Sequence, residues 1–249
     1  MSRFGIKLRA KKLVKTYGSP KLIAVLKEAR FYLQQGERSV WTVWGKLFKN
    51  RINLWRNARK PRRCLEIGPG NSRLPGFETL DIVGGPNVDY VYNAAKPLPF
   101  EDNTFDLVYA SHVLGPIPWY KVEEVVKEWV RILKPGGVLE VWVPDGLKIC
   151  KALVDYELTG IKEAMERDGW YRFNSEKSLY IWVNGRIFSY GDGTGNPCHP
   201  NWHRALFTAR YLKECFERAG LVNVRELDRS EVRGYDHGWI NLGVRGRKP

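Results

Sequence analysis

A glycine-rich turn, Glu66-Ile67-Gly68-Pro69-Gly70, closes the apolar run that begins at Cys64. At the carboxyl end of a first strand, such a turn suggests a nucleotide-type cofactor approached closely by backbone. The dinucleotide fingerprint is not met. Its sixth position is Arg73 rather than glycine, and Asp81 follows Gly68 by 13 positions where about 20 are expected. A nicotinamide dehydrogenase therefore fits badly. Acid–base chemistry falls to four histidines. His112 ends a later apolar run, where open α/β sheets place their ligands. His199 and His203 lie in the irregular run Gly191–Arg204, and His237 stands near the end. His199, His237 and Asp192 are equally suited to holding loops together. Asp192, His199 and His203 lack a metal-ligand spacing, so no metal site is expected.

The elements that would position these residues alternate. Cys64–Ile67, Glu78–Ile82, Val88–Tyr92, Phe105–Ala110 and Val138–Val143 read as strands. A helix is expected over about Tyr120–Ile132, broken at Lys134-Pro135-Gly136-Gly137. A late helix, Ala209–Ala219, leads to Val222–Val224, and Trp239–Val244 could close the sheet. The order predicts an α/β fold with a mainly parallel sheet covered by helices on both faces. There is no room for a full helix between the first two strands. Residues 158–205 break the rhythm and are expected to form an irregular insertion at the acceptor site.

The chain has 249 residues, 43% apolar and 27% charged, which supports one sizeable core and excludes an extended disordered chain. Its net charge of +14 is uneven. Residues 1–63 carry 18 Lys and Arg against Glu28 and Glu37, a net of +16, while the remainder is close to neutral. A basic helical extension over 1–62 and a catalytic domain over 63–249 are the expected division. Ser19-Pro20 opens a first helix that stops at Gly36. A second runs from about Ser39 to Asn57 with Trp41, Trp44, Phe48, Ile52 and Trp55 on one face. That face is expected to dock on the following domain, although a basic aromatic helix also suits a membrane interface. No apolar run reaches the ~18 residues of a membrane span. The first residues show no apolar signal core, and Cys64, Cys150, Cys198 and Cys215 form no disulfide framework. A cytoplasmic location, peripheral at the membrane if the extension binds there, is the expectation.

Four motifs occur in order: Glu66-Ile67-Gly68-Pro69-Gly70, Thr79-Leu80-Asp81-Ile82, Leu98-Pro99-Phe100-Glu101-Asp102-Asn103-Thr104-Phe105-Asp106-Leu107-Val108 and Arg131-Ile132-Leu133-Lys134-Pro135-Gly136-Gly137. Together they resemble the class I S-adenosylmethionine-dependent methyltransferases, and within them a compact subgroup often associated with polysaccharide and lipopolysaccharide synthesis. The resemblance implies a Rossmann-like fold and S-adenosylmethionine as cofactor. It places Gly68 and Gly70 against the methionine portion, Glu66 near the amino group or the loop holding it, and Asp81 on the ribose hydroxyls. Asn93 and Ala94 would meet the adenine, with Ser111 and His112 at the fourth strand. Relatives usually read "H-V-L-E-H" where this chain has His112-Val113-Leu114-Gly115-Pro116. His203, just before the penultimate helix, is the first candidate for general base and His112 the second.

The acceptor is narrowed by what is missing. No Asn/Asp-Pro-Pro-Tyr/Phe run follows the fourth strand, so methylation of a base's exocyclic amine is disfavoured. The subgroup implies O-methylation of a sugar on a glycan or glycolipid, and an anionic acceptor would suit the basic extension. An RNA methyltransferase gripping phosphates through residues 1–62 is the alternative. A non-catalytic binding protein, suggested by Gly115-Pro116, is the third reading.

Overall fold

The computed structural model describes residues 37–249. The expected helix from Ser19 to Gly36 lies outside the described residues. Residues 37–57 are helical (α1), with Gly45–Lys49 in a π-helical turn. The strands are β1 (Cys64–Ile67), β2 (Glu78–Asp81), β3 (Tyr90–Val91), β4 (Phe105–Ser111), β5 (Leu133–Pro144), β6 (Val222–Leu227) and β7 (Asn241–Arg247). Helices α2 (Val122–Arg131), α3 (Gly146–Thr159), α4 (Glu163–Asp168), α5 (Leu179–Phe188) and α6 (Ala209–Arg218) complete the framework. One seven-stranded sheet runs β3-β2-β1-β4-β5-β7-β6. Pairings among β1 to β5 are parallel, and β7 is antiparallel to both β5 and β6. This is the expected Rossmann-like, mainly parallel α/β sheet, with β7 inserted antiparallel near one edge, but the helices expected on both faces pack on one, and non-helical segments cover Tyr109 and Trp142 on the other.

The two faces are covered differently. On one, Val125, Val126 and Trp129 of α2 and Leu212 and Phe216 of α6 pack on Leu65, Ile67, Val108, Leu139 and Val141. These side chains recur with period two along the strands, as a half-covered sheet requires. On the other, Tyr109 and Trp142 are covered by Leu74 and Phe77 from the β1–β2 connection and by Val232. No helix occupies that connection. Helices α3, α4 and α5 form a separate cluster around Ile149, Met165, Leu179 and Trp182. Residues 158–205, expected to be irregular, thus contain two helices, α4 and α5. The Lys134–Gly137 break falls inside β5, whose pairing with β4 shifts register between Phe105 and Leu107.

The docking of α1 overturns one expectation. Its aromatic face does not pack on the domain: Trp44, Phe48, Ile52 and Trp55 are exposed, and Trp41 is half-buried. The buried face is polar, formed by Asn50, Asn53 and Asn57. β3 is an edge strand with unpaired backbone groups, and these need partners more than the helix needs an apolar contact. Asn50 Oδ1 accepts from Val91 N–H at 2.8 Å, and Asn50 Nδ2 donates to Val91 C=O at 3.3 Å. Asn53 Nδ2 donates to Asp89 C=O at 2.9 Å, and Lys49 Nζ donates to Val88 C=O. Beneath them, fully buried Glu78 accepts two bonds of 2.9 Å from Arg63 and one of 2.6 Å from the Tyr90 hydroxyl. Asn57 Nδ2 donates to that hydroxyl at 2.8 Å, which ties helix, edge strand and ion pair into one network.

Candidate active site

A cavity of about 440 Å³ opens above the carboxyl ends of β1, β2 and β4. That is the size of a site for a nucleoside-sized ligand. Gly68 and Gly70 form its floor with φ of 73° and 59°. A side chain at 68 would collide with Val113, so glycine there keeps the backbone accessible. Glu66 stands behind this loop, not on the cavity wall: its Oε2 accepts from Leu74 N–H at 2.7 Å and holds residues 68–74 in place. Burial pushes its carboxyl up, against that hydrogen bond.

Asp81 ends β2 and lines the cavity. Its Oδ1 accepts from Val83 N–H at 3.0 Å. Burial raises its pKa, opposed by backbone N–H groups of Val83, Gly70 and Ile82 and by the Arg38 guanidinium on α1. Asn93 and Ala94 line the cavity too. Asn93 Oδ1 accepts from Ala95 N–H at 2.9 Å, and Ala94 C=O from Trp129 Nε1 at 3.1 Å. Ser111 lies on the wall, and its buried Oγ has no hydrogen-bond partner among the described residues. The Tyr109 hydroxyl, equally buried, lies against it on the side away from solvent. Glycine cradle and strand-end carboxylate together fit S-adenosylmethionine.

His112 is on the cavity wall in a left-handed conformation, φ 58°, which is uncommon for a non-glycine residue. Its N–H donates to Trp142 C=O at 2.8 Å, and its Nε2 lies 2.9 Å from Asn241 Oδ1. Asn241 Nδ2 donates in turn to Asp236 Oδ1 at 3.0 Å, which orients the amide and makes His112 Nε2 the donor. The neutral ring then keeps its lone pair on Nδ1. His237 stacks on the ring at 3.7 Å. Burial, together with His237 and against the Asn241 bond, pushes the His112 pKa down to about 3. Arg229 and Gly238 N–H hold Asp236 below the ordinary carboxylate range in spite of its burial.

His203 is placed differently. It is off the cavity wall, behind Gly115: a Cβ at 115 would come within 2.9 Å of its ring. Gly115 C=O accepts from Arg204 N–H at 2.7 Å and Ala205 N–H at 3.2 Å. The glycine at 115 therefore makes room for a histidine from another segment. Burial lowers the His203 pKa, against backbone groups of Arg186 and Ile187. His199 and Asp192 serve their loop: His199 Nδ1 accepts from Asn201 N–H at 3.2 Å, and Asp192 Oδ1 from Thr194 N–H at 2.9 Å. No three His, Cys, Asp or Glu side chains among the described residues could hold a metal.

Sequence reasoning missed Cys198, Pro200, Asn201 and Arg204, which line the cavity, and Asp236, His237 and Asn241, which orient His112. Nothing in their spacing signals these roles, because they reach the site only through the β5–β7 pairing and the 189–204 loop.

Residues 75–141 match the family model of a methyltransferase domain. The match begins just before β2 and runs into β5, across the Asp81 and His112 walls. Curated relatives include the demethylmenaquinone methyltransferases of Staphylococcus aureus strains JH9 and Newman, each 34% identical over 142 residues. That alignment covers 56% of this chain and 49% of theirs, so the chain spans about half the length of the curated relatives it matches. Among solved structures, a SAM-dependent methyltransferase of Thermotoga maritima aligns with 20% identity and a TM-score of 0.38, covering 88% of this chain and 97% of that one. One from Methanosarcina mazei aligns with 17% identity and a TM-score of 0.44, covering 78% and 96%. The matched methyltransferase domain and its relatives support S-adenosylmethionine as the cofactor.

Proposed function

We propose that the protein is an S-adenosylmethionine-dependent methyltransferase that O-methylates a sugar hydroxyl of an anionic glycan or glycolipid. The observation that carries the reading is His112, a neutral imidazole of fixed tautomer on the same cavity wall as the Gly68 and Asp81 cradle. When bound, the cofactor supplies an electrophilic methyl group on a cationic sulfonium. Gly68 and Gly70 would receive its methionine portion, Asp81 the ribose hydroxyls, and Asn93 and Ala94 the adenine. His112 would accept the acceptor's hydroxyl proton at Nδ1. A pKa of about 3 makes it a weak base. The hydroxyl oxygen, however, becomes strongly acidic as it gains the methyl group, and a ring that is uncharged before the transfer does not repel the bound sulfonium, whose charge is lost as the proton arrives. His203, behind Gly115, is the rival base. Arg204 on the cavity wall is exposed and has no ion pair among the described residues, which supports an anionic acceptor.

The cofactor assignment is tested by calorimetric titration of Asp81→Ala. Loss of two charge-assisted bonds, about 1.5–3 kcal/mol each, should weaken S-adenosylmethionine binding by 10-fold or more. Unchanged affinity in a folded variant removes Asp81 from the site. The acceptor is tested by radiolabelled methyl transfer into polysaccharide, lipid and RNA fractions. The names of the Staphylococcus relatives favour a second reading, a quinone such as demethylmenaquinone. Label in a quinone would establish that reading, and label in RNA the role of the basic extension.

A further inference from the structure

We propose that the outward face of α1 is a docking surface for an anionic lipid bilayer. Trp44, Leu47, Phe48, Ile52 and Trp55 each leave 48–65% of their surface exposed. Their spacing of three and four residues places them on one face of the helix. The helix is not free to turn this face inward, because Asn50 and Asn53 are hydrogen-bonded to the backbone of the β3 edge and Asn57 to Tyr90. The asparagines set the azimuth of the helix and leave the aromatic side outside.

Charge identifies the occupant. Residues 37–63 carry nine Lys and Arg and one acid, Glu37. Three of the cations are used internally: Arg63 and Lys60 by Glu78, and Lys49 by the β3 edge. Lys46, Arg51 and Arg56 are exposed and make no ion pair among the described residues, and Arg59 lies over the Trp55 ring at 4.5 Å. Exposed tryptophans interleaved with unpaired cations are what an interfacial helix presents to anionic headgroups. Phosphate recognition alone would not need Leu47 and Ile52, which argues against nucleic acid as the occupant of this face. No described helix is long and apolar enough to cross a membrane, so the contact would be peripheral.

The face adjoins the cavity. Thr42 Oγ1 accepts from Gly84 N–H at 2.8 Å, next to Val83 and Ile82, which line the cavity. Docking would therefore hold the cavity rim near the bilayer surface. The inference rests on α1 alone and stands whichever acceptor the cavity takes.

The test is co-sedimentation of the full chain with vesicles of phosphatidylcholine alone and with 30% phosphatidylglycerol, across a salt series. Binding to the anionic vesicles should fall at least 10-fold at high salt and in Lys46→Gln/Arg51→Gln/Arg56→Gln. It should fall similarly in Ile52→Ser/Trp55→Ser, whose side chains lie outside the core. Brominated lipid should quench the wild-type fluorescence, and quenching should drop in Trp44→Phe/Trp55→Phe. Three results overturn the proposal: no binding to anionic vesicles, binding unaffected by these substitutions, or vesicle-independent shielding of Trp44 and Trp55 from iodide. That last result would mean residues 1–36 or a second copy covers the face. RNA binding that depends on Ile52 and Trp55, without lipid binding, would also overturn it.

Discussion

Acid should destabilise this protein through His112 in a way that one substitution removes. Burial and the stacked His237 hold the His112 pKa at about 3, against 6.5 for the ordinary imidazole. Between these values the unfolded chain binds a proton that the folded chain refuses, so protonation pulls toward the unfolded state. The stability held by the neutral ring is complete above pH 6.5 and is lost as pH falls toward 3. At ~1.4 kcal/mol per pH unit, acidification to pH 4 should cost about 3 kcal/mol. His112→Asn tolerates the left-handed backbone and removes the titrating group. Urea unfolding of both proteins at pH 7.5, 6, 5 and 4 is the assay. The wild type should be the more stable at pH 7.5, because the variant loses the Asn241 bond and ring packing, and its advantage should shrink by about 3 kcal/mol by pH 4. An advantage that is the same at every pH would show that His112 titrates normally, and the lowering of its pKa by burial and the stacked His237 would be refuted.

Gly115→Ala should force His203 to move, since the new Cβ would lie 2.9 Å from its ring; a loss of about 1–3 kcal/mol is expected in thermal or urea unfolding. If stability and the His203 NMR shift are unchanged, the ring does not depend on that space. Arg63→Met should leave the buried Glu78 carboxylate with only the Tyr90 hydroxyl and the more distant Lys60 ammonium as partners, at a cost of up to about 3–5 kcal/mol. Arg63→Met/Glu78→Leu should recover much of that loss, and a double variant no more stable than the single one would mean the pair is not isolated.

What the sequence discloses about this protein is mostly local. Gly68, Gly70 and Asp81 could be placed because a turn and a strand end are each written in a few adjacent residues. The strands along the chain followed from apolar runs separated by turns, while their order in the sheet did not. Helix α5 was not read: Leu179, Trp182 and Val183 fall at helical spacing, but the loop-like composition around them masked it. The asparagine face of α1 was not legible. Asn50, Asn53 and Asn57 carry no apolar signal, and only the bare edge of β3 makes them the buried side. The partners of His112 were hidden for the same reason: Asn241 lies 129 positions away and arrives through an antiparallel strand that no motif announces.

Gly115-Pro116 shows how a departure from a family pattern changes meaning with tertiary context. In the sequence it removes a glutamate and a histidine from the end of β4, and a catalytically silent fold is one reading of that loss. In the structure the missing side chain is the condition for another contact, because Gly115 is where His203 packs and where the Arg204 and Ala205 amides bind. That contact anchors the 189–204 loop, which brings Cys198, Asn201 and Arg204 to the cavity wall. The departure therefore exchanges a side chain in the segment after β4 for a loop packed against it, and His112 keeps its place beside Gly68 and Asp81 on the cavity wall. The position where the sequence diverges shapes the loop side of the cavity, so under the proposed function the unusual residues bear on which molecule is methylated more than on whether methyl transfer occurs.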